Sequence, residues 1–149
     1  MSPVSGSSTE APQATICVVD SDPGQRAAIS QLLSRLQHDI SAFDSGEALL
    51  DALVATPIKV LVVSLELPGM SGLELLQALR DRGHQVPAIM LAGESDVATA
   101  VGAIRAGAVY FIQRPVIDRV LLRPVRDALE LTGDYTDFFT LIPVLAATL

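Results

Sequence analysis

The chain has no tryptophan, two tyrosines and four phenylalanines in 149 residues, so its interior must be aliphatic. It has one cysteine, Cys17, which excludes an intrachain disulfide and any metal site built from several thiolates. The apolar run around Cys17 marks it as a core thiol. Cations are scarce: ten Lys and Arg stand against seventeen Asp and Glu, for a formal charge of −7. A nucleic-acid-binding face needs clustered Lys and Arg to neutralise phosphates, so direct nucleic-acid binding by this chain is not expected. No apolar stretch is long enough to span a bilayer, which argues against a membrane partner. The first residues have neither the basic start nor the apolar middle of a signal peptide, and the chain is read as cytoplasmic.

Half of the residues are apolar, and the length suits one domain with a real core. Residues 1–14, rich in Ser, Pro, Gly and Thr, read as a disordered leader. Residues 15–132 form the domain, and 133–149 an apolar extension, interrupted by Pro143 and too short for a membrane span. That extension reads as a loose or partner-buried segment.

Within the domain, short apolar runs alternate with helical patterns. Thr15–Val19 reads as a buried strand. Asp22, Pro23 and Gln25 then supply the N-cap, N1 and N3 of a helix whose inner face is Ile29, Leu32, Leu33 and Leu36. Ile40–Phe43 is a second strand, and Ser45 caps a short helix through Leu53. A third strand runs from Lys59 to Ser64, turns through Pro68 and Gly69, and enters a helix at Ser71 that Gly83 ends. Residues 87–91 form a fourth strand. Val97, Ala100, Val101 and Ile104 mark a fourth helix, and residues 109–112 a fifth strand. Asp118 caps a fifth helix. Pro124 falls past its first turn and lacks the N–H owed to the Val120 carbonyl, a defect of roughly 3 kcal/mol that predicts a kink or a 3₁₀ opening.

Five strands alternating with five helices give an α/β domain: a doubly wound, five-stranded parallel sheet covered on both faces. In such sheets, ligands and chemistry collect at the carboxyl ends of the strands. Those ends place Asp20 and Ser64 in the candidate site. His38 and His84 fall in connections remote from it and read as surface residues, and no Ser-His-Asp set is placed at strand ends. An enzyme is therefore not expected.

Three stretches together are specific: Val18-Val19-Asp20-Ser21-Asp22-Pro23, Leu67-Pro68-Gly69-Met70-Ser71-Gly72, and residues 105–115 ending Phe111-Ile112-Gln113-Arg114-Pro115. Over about residues 15–131 the chain resembles the CheY-like receiver domains of two-component response regulators. The resemblance implies the flavodoxin-like strand order 2-1-3-4-5. It also implies a phosphorelay role in which two acidic residues after strand 1 and an aspartate ending strand 3 hold Mg²⁺. A Thr or Ser ending strand 4 and a Lys before the strand-5 proline contact the phosphoryl group.

At the matching positions this chain has Asp20 and Ser21, then Ser64, Ala92 and Arg114. Only Asp20 keeps the family's residue. Mg²⁺ prefers several hard oxygen ligands, so no metal or other cofactor is expected here. Ser64 has no evident base and lacks the carboxylate that phosphohistidine donors require, so phosphoryl transfer to it is not expected either. Arg114 is expected to bridge to Asp20, to Glu66 or to both; the alternative for Glu66 is a solvated side chain. Phe111 stands where the family has its switching aromatic. With no hydroxyl at Ala92 to draw the loop, it reads as a core aromatic.

The resemblance therefore implies a pseudo-receiver that acts independently of phosphorylation. Its partner would be another protein or a second copy, docked on the face made by the fourth helix, fifth strand and fifth helix, where Val116, Ile117 and Leu122 are expected to be partly exposed. A rival reading is a small-molecule or anion sensor using the cleft beside Arg114.

Overall fold

Uninterrupted apolar residues need cover on both sides, and the runs 16–19, 60–63 and Ala88–Ala92 fill the three inner strands of the sheet. In the computed structural model, which describes residues 15–53, 58–93, 101–102, 105, 108–114, 116 and 118–130, five strands form one parallel sheet. They are β1 (Thr15–Val19), β2 (Ile40–Phe43), β3 (Ile58–Ser64), β4 (Ala88–Ala92) and β5 (Ala108–Gln113), in the order β2-β1-β3-β4-β5. The strand order matches the expectation.

Alternate residues of each strand face opposite layers. One layer joins Ile16, Val18, Val60, Val62, Ile89 and Leu91 to α1 (Pro23–Leu33) and α4 (Asp118–Leu129). The other joins Cys17, Val19, Leu61, Val63 and Met90 to α2 (Gly46–Ala52) and α3 (Gly72–Asp81). Both layers are aliphatic, and Cys17 is fully buried in the second. Burial pushes its thiol pKa up to about 12.

The helix starts follow the expected chemistry. Asp22 Oδ2 accepts from the Gln25 amide at 2.7 Å, and Ser45 Oγ from the Ala48 amide at 3.1 Å. At α3, Ser71 Oγ accepts from the Glu74 amide at 3.2 Å while Glu74 Oε1 accepts from the Ser71 amide at 2.8 Å, a closed capping box. That helix ends with the Gly83 amide on the Arg80 carbonyl and the His84 amide on the Leu79 carbonyl, both at 2.9 Å. Helix α1 stops one turn early; Ser34–Leu36 tightens into a 3₁₀ turn.

Two expectations need correction. The described residues contain four α-helices, not five. The helix expected around Val97–Ile104 falls largely outside the described residues; the described Val101, Gly102 and Arg105 are helical. At Pro124 there is no 3₁₀ opening: α4 is α-helical from Asp118 through Leu129, with Asp118 inside its first turn. Pro124 is buried along with Leu121 and Val125, so its ring packs in the core, which offsets part of the cost of the missing hydrogen bond. Val120, whose carbonyl loses that bond, is 38% exposed, so water reaches the same turn.

The expected leader at 1–14 and the extension at 133–149 lie outside the described residues, as does Ile117. Val116 and Leu122 are half-buried against the α1/α4 layer. Among the described residues, no helix is long and apolar enough to cross a membrane.

Candidate functional site

The register of the central strands builds the site. Val19 pairs with Val63, so the next residues, Asp20 and Ser64, emerge side by side at the carboxyl edge of the sheet. Both are about 4% exposed, and with Thr15 they are the buried polar residues among those described. Ala92 pairs with Gln113 at the end of β4, and the Arg114 amide then donates to the Ala92 carbonyl at 2.7 Å. The backbone thus carries the Arg114 side chain over the sheet edge toward Asp20.

Each carboxylate oxygen of Asp20 has a donor. Oδ1 accepts from the Asp22 amide at 3.0 Å, and Oδ2 from Arg114 Nη2 at 2.6 Å. Arg114 Nε donates to Gln25 Oε1 at 2.5 Å, and Arg26 Nη1 donates to the Asp20 backbone carbonyl at 2.7 Å. The pair lies largely away from water, with side-chain exposures of 16% for Arg114 and 5% for Asp20. A guanidinium holds its charge throughout the physiological range, so this is a permanent cation on a nearly buried anion.

Ser64 donates its hydroxyl to the Glu66 carbonyl at 3.2 Å. No histidine or carboxylate accepts from it among the described residues, so nothing there raises its nucleophilicity. Ser21 is exposed and Ala92 is fully buried. Glu66 is exposed, and a Cβ built on Gly93 would lie 3.8 Å from its Oε1. Of the two carboxylates expected near Arg114, the structure brings Asp20 to it, and Glu66 is not among its ion-pair partners in the described residues. Phe111 is half-buried against the α2/α3 layer.

The loop after Ser64 has no room for variation. The Leu65 amide bonds the Leu91 carbonyl at 2.7 Å, and the Gly72 amide returns to the Leu65 carbonyl at 2.9 Å. A Cβ at Gly72 would sit 2.4 Å from the Ser64 carbonyl oxygen, so only glycine permits that approach. Gly69 turns the loop at φ +73°, and the adjacent Met70 amide donates to Glu47 Oε2 at 3.1 Å.

The donor set does not fit Mg²⁺. Asp20 is already neutralised by Arg114, Ser64 offers a hydroxyl turned to a carbonyl, and Ser21 supplies no carboxylate. No group of three or more His, Cys, Asp or Glu poised for a metal occurs among the described residues.

Sequence reasoning missed two members of the site. Gln25 stands in the first turn of α1, as its sequence position implies, and its side-chain oxygen also accepts from Arg114, 89 residues away. Arg26, one residue on, holds the Asp20 carbonyl. The available signal was position: the first turn of α1 directly follows the strand end that bears Asp20.

Comparison with known proteins bears directly on this arrangement. The family model described as "Response regulator receiver domain" matches residues 16–126. The transcriptional regulatory protein TdiR of Thauera aromatica is 32% identical over 123 residues, covering 83% of this chain and 54% of TdiR. The transcriptional regulatory protein FixJ of Rhizobium meliloti is 35% identical over 116 residues, 78% of this chain and 57% of FixJ. The chain therefore spans about half the length of the curated relatives it matches. A crystal structure of a response regulator receiver protein from Pseudoalteromonas atlantica superposes with a TM-score of 0.72 at 37% identity, covering 77% of this chain and 96% of that one. The family match, these relatives and the β2-β1-β3-β4-β5 sheet agree: the chain belongs to the response regulator receiver domain family of two-component systems.

Proposed function

We propose that this receiver domain signals without being phosphorylated, by contact with another protein, as the regulatory part of a transcriptional response regulator. The observation that carries the reading is the Arg114 guanidinium seated on Asp20 Oδ2 at 2.6 Å, beside a strand end that bears Ser64. A phosphoryl acceptor of this family needs a carboxylate nucleophile and a cation free to meet the phosphoryl oxygens. Here the strand end has a hydroxyl bonded to a carbonyl, and the arginine is engaged by Asp20 and Gln25. The domain is accordingly read as a pseudo-receiver and not as an enzyme. The transcriptional role rests on kinship with regulators such as TdiR and FixJ, of which this chain matches about half.

The test is incubation of the full chain with a phosphohistidine donor and Mg²⁺, followed by intact-mass measurement. The mass should be unchanged; a phosphoryl adduct overturns the reading.

One observation favours a second reading, a small-molecule sensor. A cavity of about 510 Å³ lies between α1 and the start of α4, lined by Gln25, Ile29, Leu32, Arg114 and Val116. Asp118 also lines it and Arg114 is engaged by Asp20 and Gln25, so the apolar floor suits a small, mostly apolar molecule. A thermal-shift screen of the full chain against metabolites separates the two readings: a saturable stabilisation supports the sensor, and a flat response supports the contact module.

A further inference from the structure

Gln25, Ala28, Ile29 and Leu32 recur at i, i+3, i+4 and i+7 and therefore share one face of α1. With Arg114, Val116 and Asp118 they line the cavity of about 510 Å³ described above. Ile29 is buried, Leu32 and Val116 are half-buried, and Ala28 is exposed. The single methyl group at position 28 leaves a recess that a longer side chain would fill.

Two bridges run from α1 and its terminal turn to the segment bearing Arg114 and Asp118. At one end, Arg114 Nε donates to Gln25 Oε1 at 2.5 Å. At the other, Arg35 Nη1 lies 3.6 Å from Asp118 Oδ2, a loose pair with both side chains well exposed. Residues 25 and 35 are roughly 15 Å apart at the helical rise. That span is the size of a small molecule, and a peptide strand or helix passing through would have to break a bridge.

The polar groups decide what such a molecule carries. Arg114 already has its charge matched by Asp20, and Asp118 is the carboxylate in the lining. An anion would face Asp118 and find Arg114 neutralised, while a cation would face Arg114 and Arg35. Gln25 offers an uncharged contact. Its oxygen accepts from Arg114, which fixes the amide orientation, and its Nε2 donor has no hydrogen-bond partner among the described residues.

We infer that the cavity binds a small, uncharged, mostly apolar molecule with one carbonyl oxygen. Its body lies against Ala28, Ile29, Leu32 and Val116, and its oxygen accepts from Gln25 Nε2. The assignment rests on the sensor reading above and names the ligand's class. Burial of the apolar body supplies affinity, and the amide supplies orientation.

The test is equilibrium dialysis of the full chain with 2-acetylnaphthalene, 2-ethylnaphthalene, 2-naphthoate and 2-naphthylmethylammonium, read by ultraviolet absorbance. The ketone should bind saturably, and each ion at least about tenfold more weakly. Ala28→Leu fills the recess with a strong helix former. It should weaken ketone binding at least about tenfold while keeping the parent's urea midpoint. Gln25→Glu keeps an oxygen for Arg114 Nε and removes the amide donor. Ketone affinity should then fall about three- to tenfold, while that of 2-ethylnaphthalene holds. Non-saturable uptake of the ketone overturns the inference, as does full ketone affinity in Ala28→Leu. Tighter binding of either ion overturns it, and so does an equal response of the two neutral compounds to Gln25→Glu. Saturable stabilisation by a charged metabolite without ketone binding keeps the sensor reading and defeats this assignment. A flat metabolite screen and no ketone binding defeat both.

Discussion

Arg114 Nη2 lies 2.6 Å from Asp20 Oδ2, joining the ends of two strands across 94 residues of chain. Because both side chains are largely removed from water, their separation leaves a desolvated charge without compensation. Arg114→Met should therefore destabilise the fold by about 3 kcal/mol. Adding Asp20→Leu to that variant should restore most of the loss, since an apolar pair needs no counter-charge. Urea unfolding of the parent, both single variants and the double variant checks this; a single-variant loss below about 1 kcal/mol would place the pair among ordinary surface bridges.

The committed state of Asp20 also predicts the response to metal. Millimolar Mg²⁺ should leave the melting temperature where EDTA leaves it, and calorimetric titration should give no saturable heat. In the Arg114→Met variant Asp20 is vacated, but Ser21 and Ser64 still supply no second carboxylate, so Mg²⁺ should remain without effect on the melting temperature. Tight Mg²⁺ binding by the parent chain would show that the arginine yields to the ion.

Gly72→Ala should be among the most damaging conservative changes. Its methyl would fall 2.4 Å from the Ser64 carbonyl oxygen and 3.0 Å from Met90 Sδ, and the first of these neighbours is backbone. Relief requires the β3 end and the start of α3 to part, so a loss of about 2–3 kcal/mol is expected in urea unfolding.

Cys17 predicts behaviour at high pH. Its pKa is raised to about 12 in the fold, against 9.0 for the free group, because burial penalises the thiolate. The folded state therefore holds a proton that the unfolded state releases. The corresponding stability is fully present below pH 9.0 and is lost as pH rises from there toward about 12. Cys17→Ala should flatten that part of the stability profile, and a thiol reagent at pH 8 should label the parent only once it is unfolded.

Pro124→Ala weighs two opposed terms. Restoring the N–H for the Val120 carbonyl and removing the ring clash is worth about 3 kcal/mol in a helix interior, while loss of two buried methylenes costs about 1.6 kcal/mol. The variant should be more stable by about 1 kcal/mol, read from the urea midpoint.

The fold was legible because its signals are local. Asp22 and Ser45 cap the helices they are expected to cap, α3 begins at the expected place, and the apolar runs Thr15–Val19 and 59–63 lie in the central strands. At Pro124 the 3₁₀ alternative fails because the hydrogen-bond rule is local, whereas the burial of the ring belongs to the assembled sheet. In the site, Asp20 and Ser64 are legible from strand ends and Arg114 from the resemblance, but the choice between Asp20 and Glu66 as the partner of Arg114 is not. Glu66 lies in a loop that carries it outward, and no periodicity in the sequence encodes that direction. The role of Gln25 was hidden for the same reason, because its partner lies 89 residues downstream.

The span between Asp20 and Arg114 also sets an order on biosynthesis. Strand β1 pairs with β2 and β3, so most of its backbone bonds are available once residue 63 has been made. Its terminal carboxylate waits for residue 114. A nascent chain released from the ribosome between those points would hold a sheet centre with an unmatched anion at its edge. Arg114 therefore ties the last strand to the first, and truncation anywhere before residue 114 leaves the buried Asp20 carboxylate without its cation.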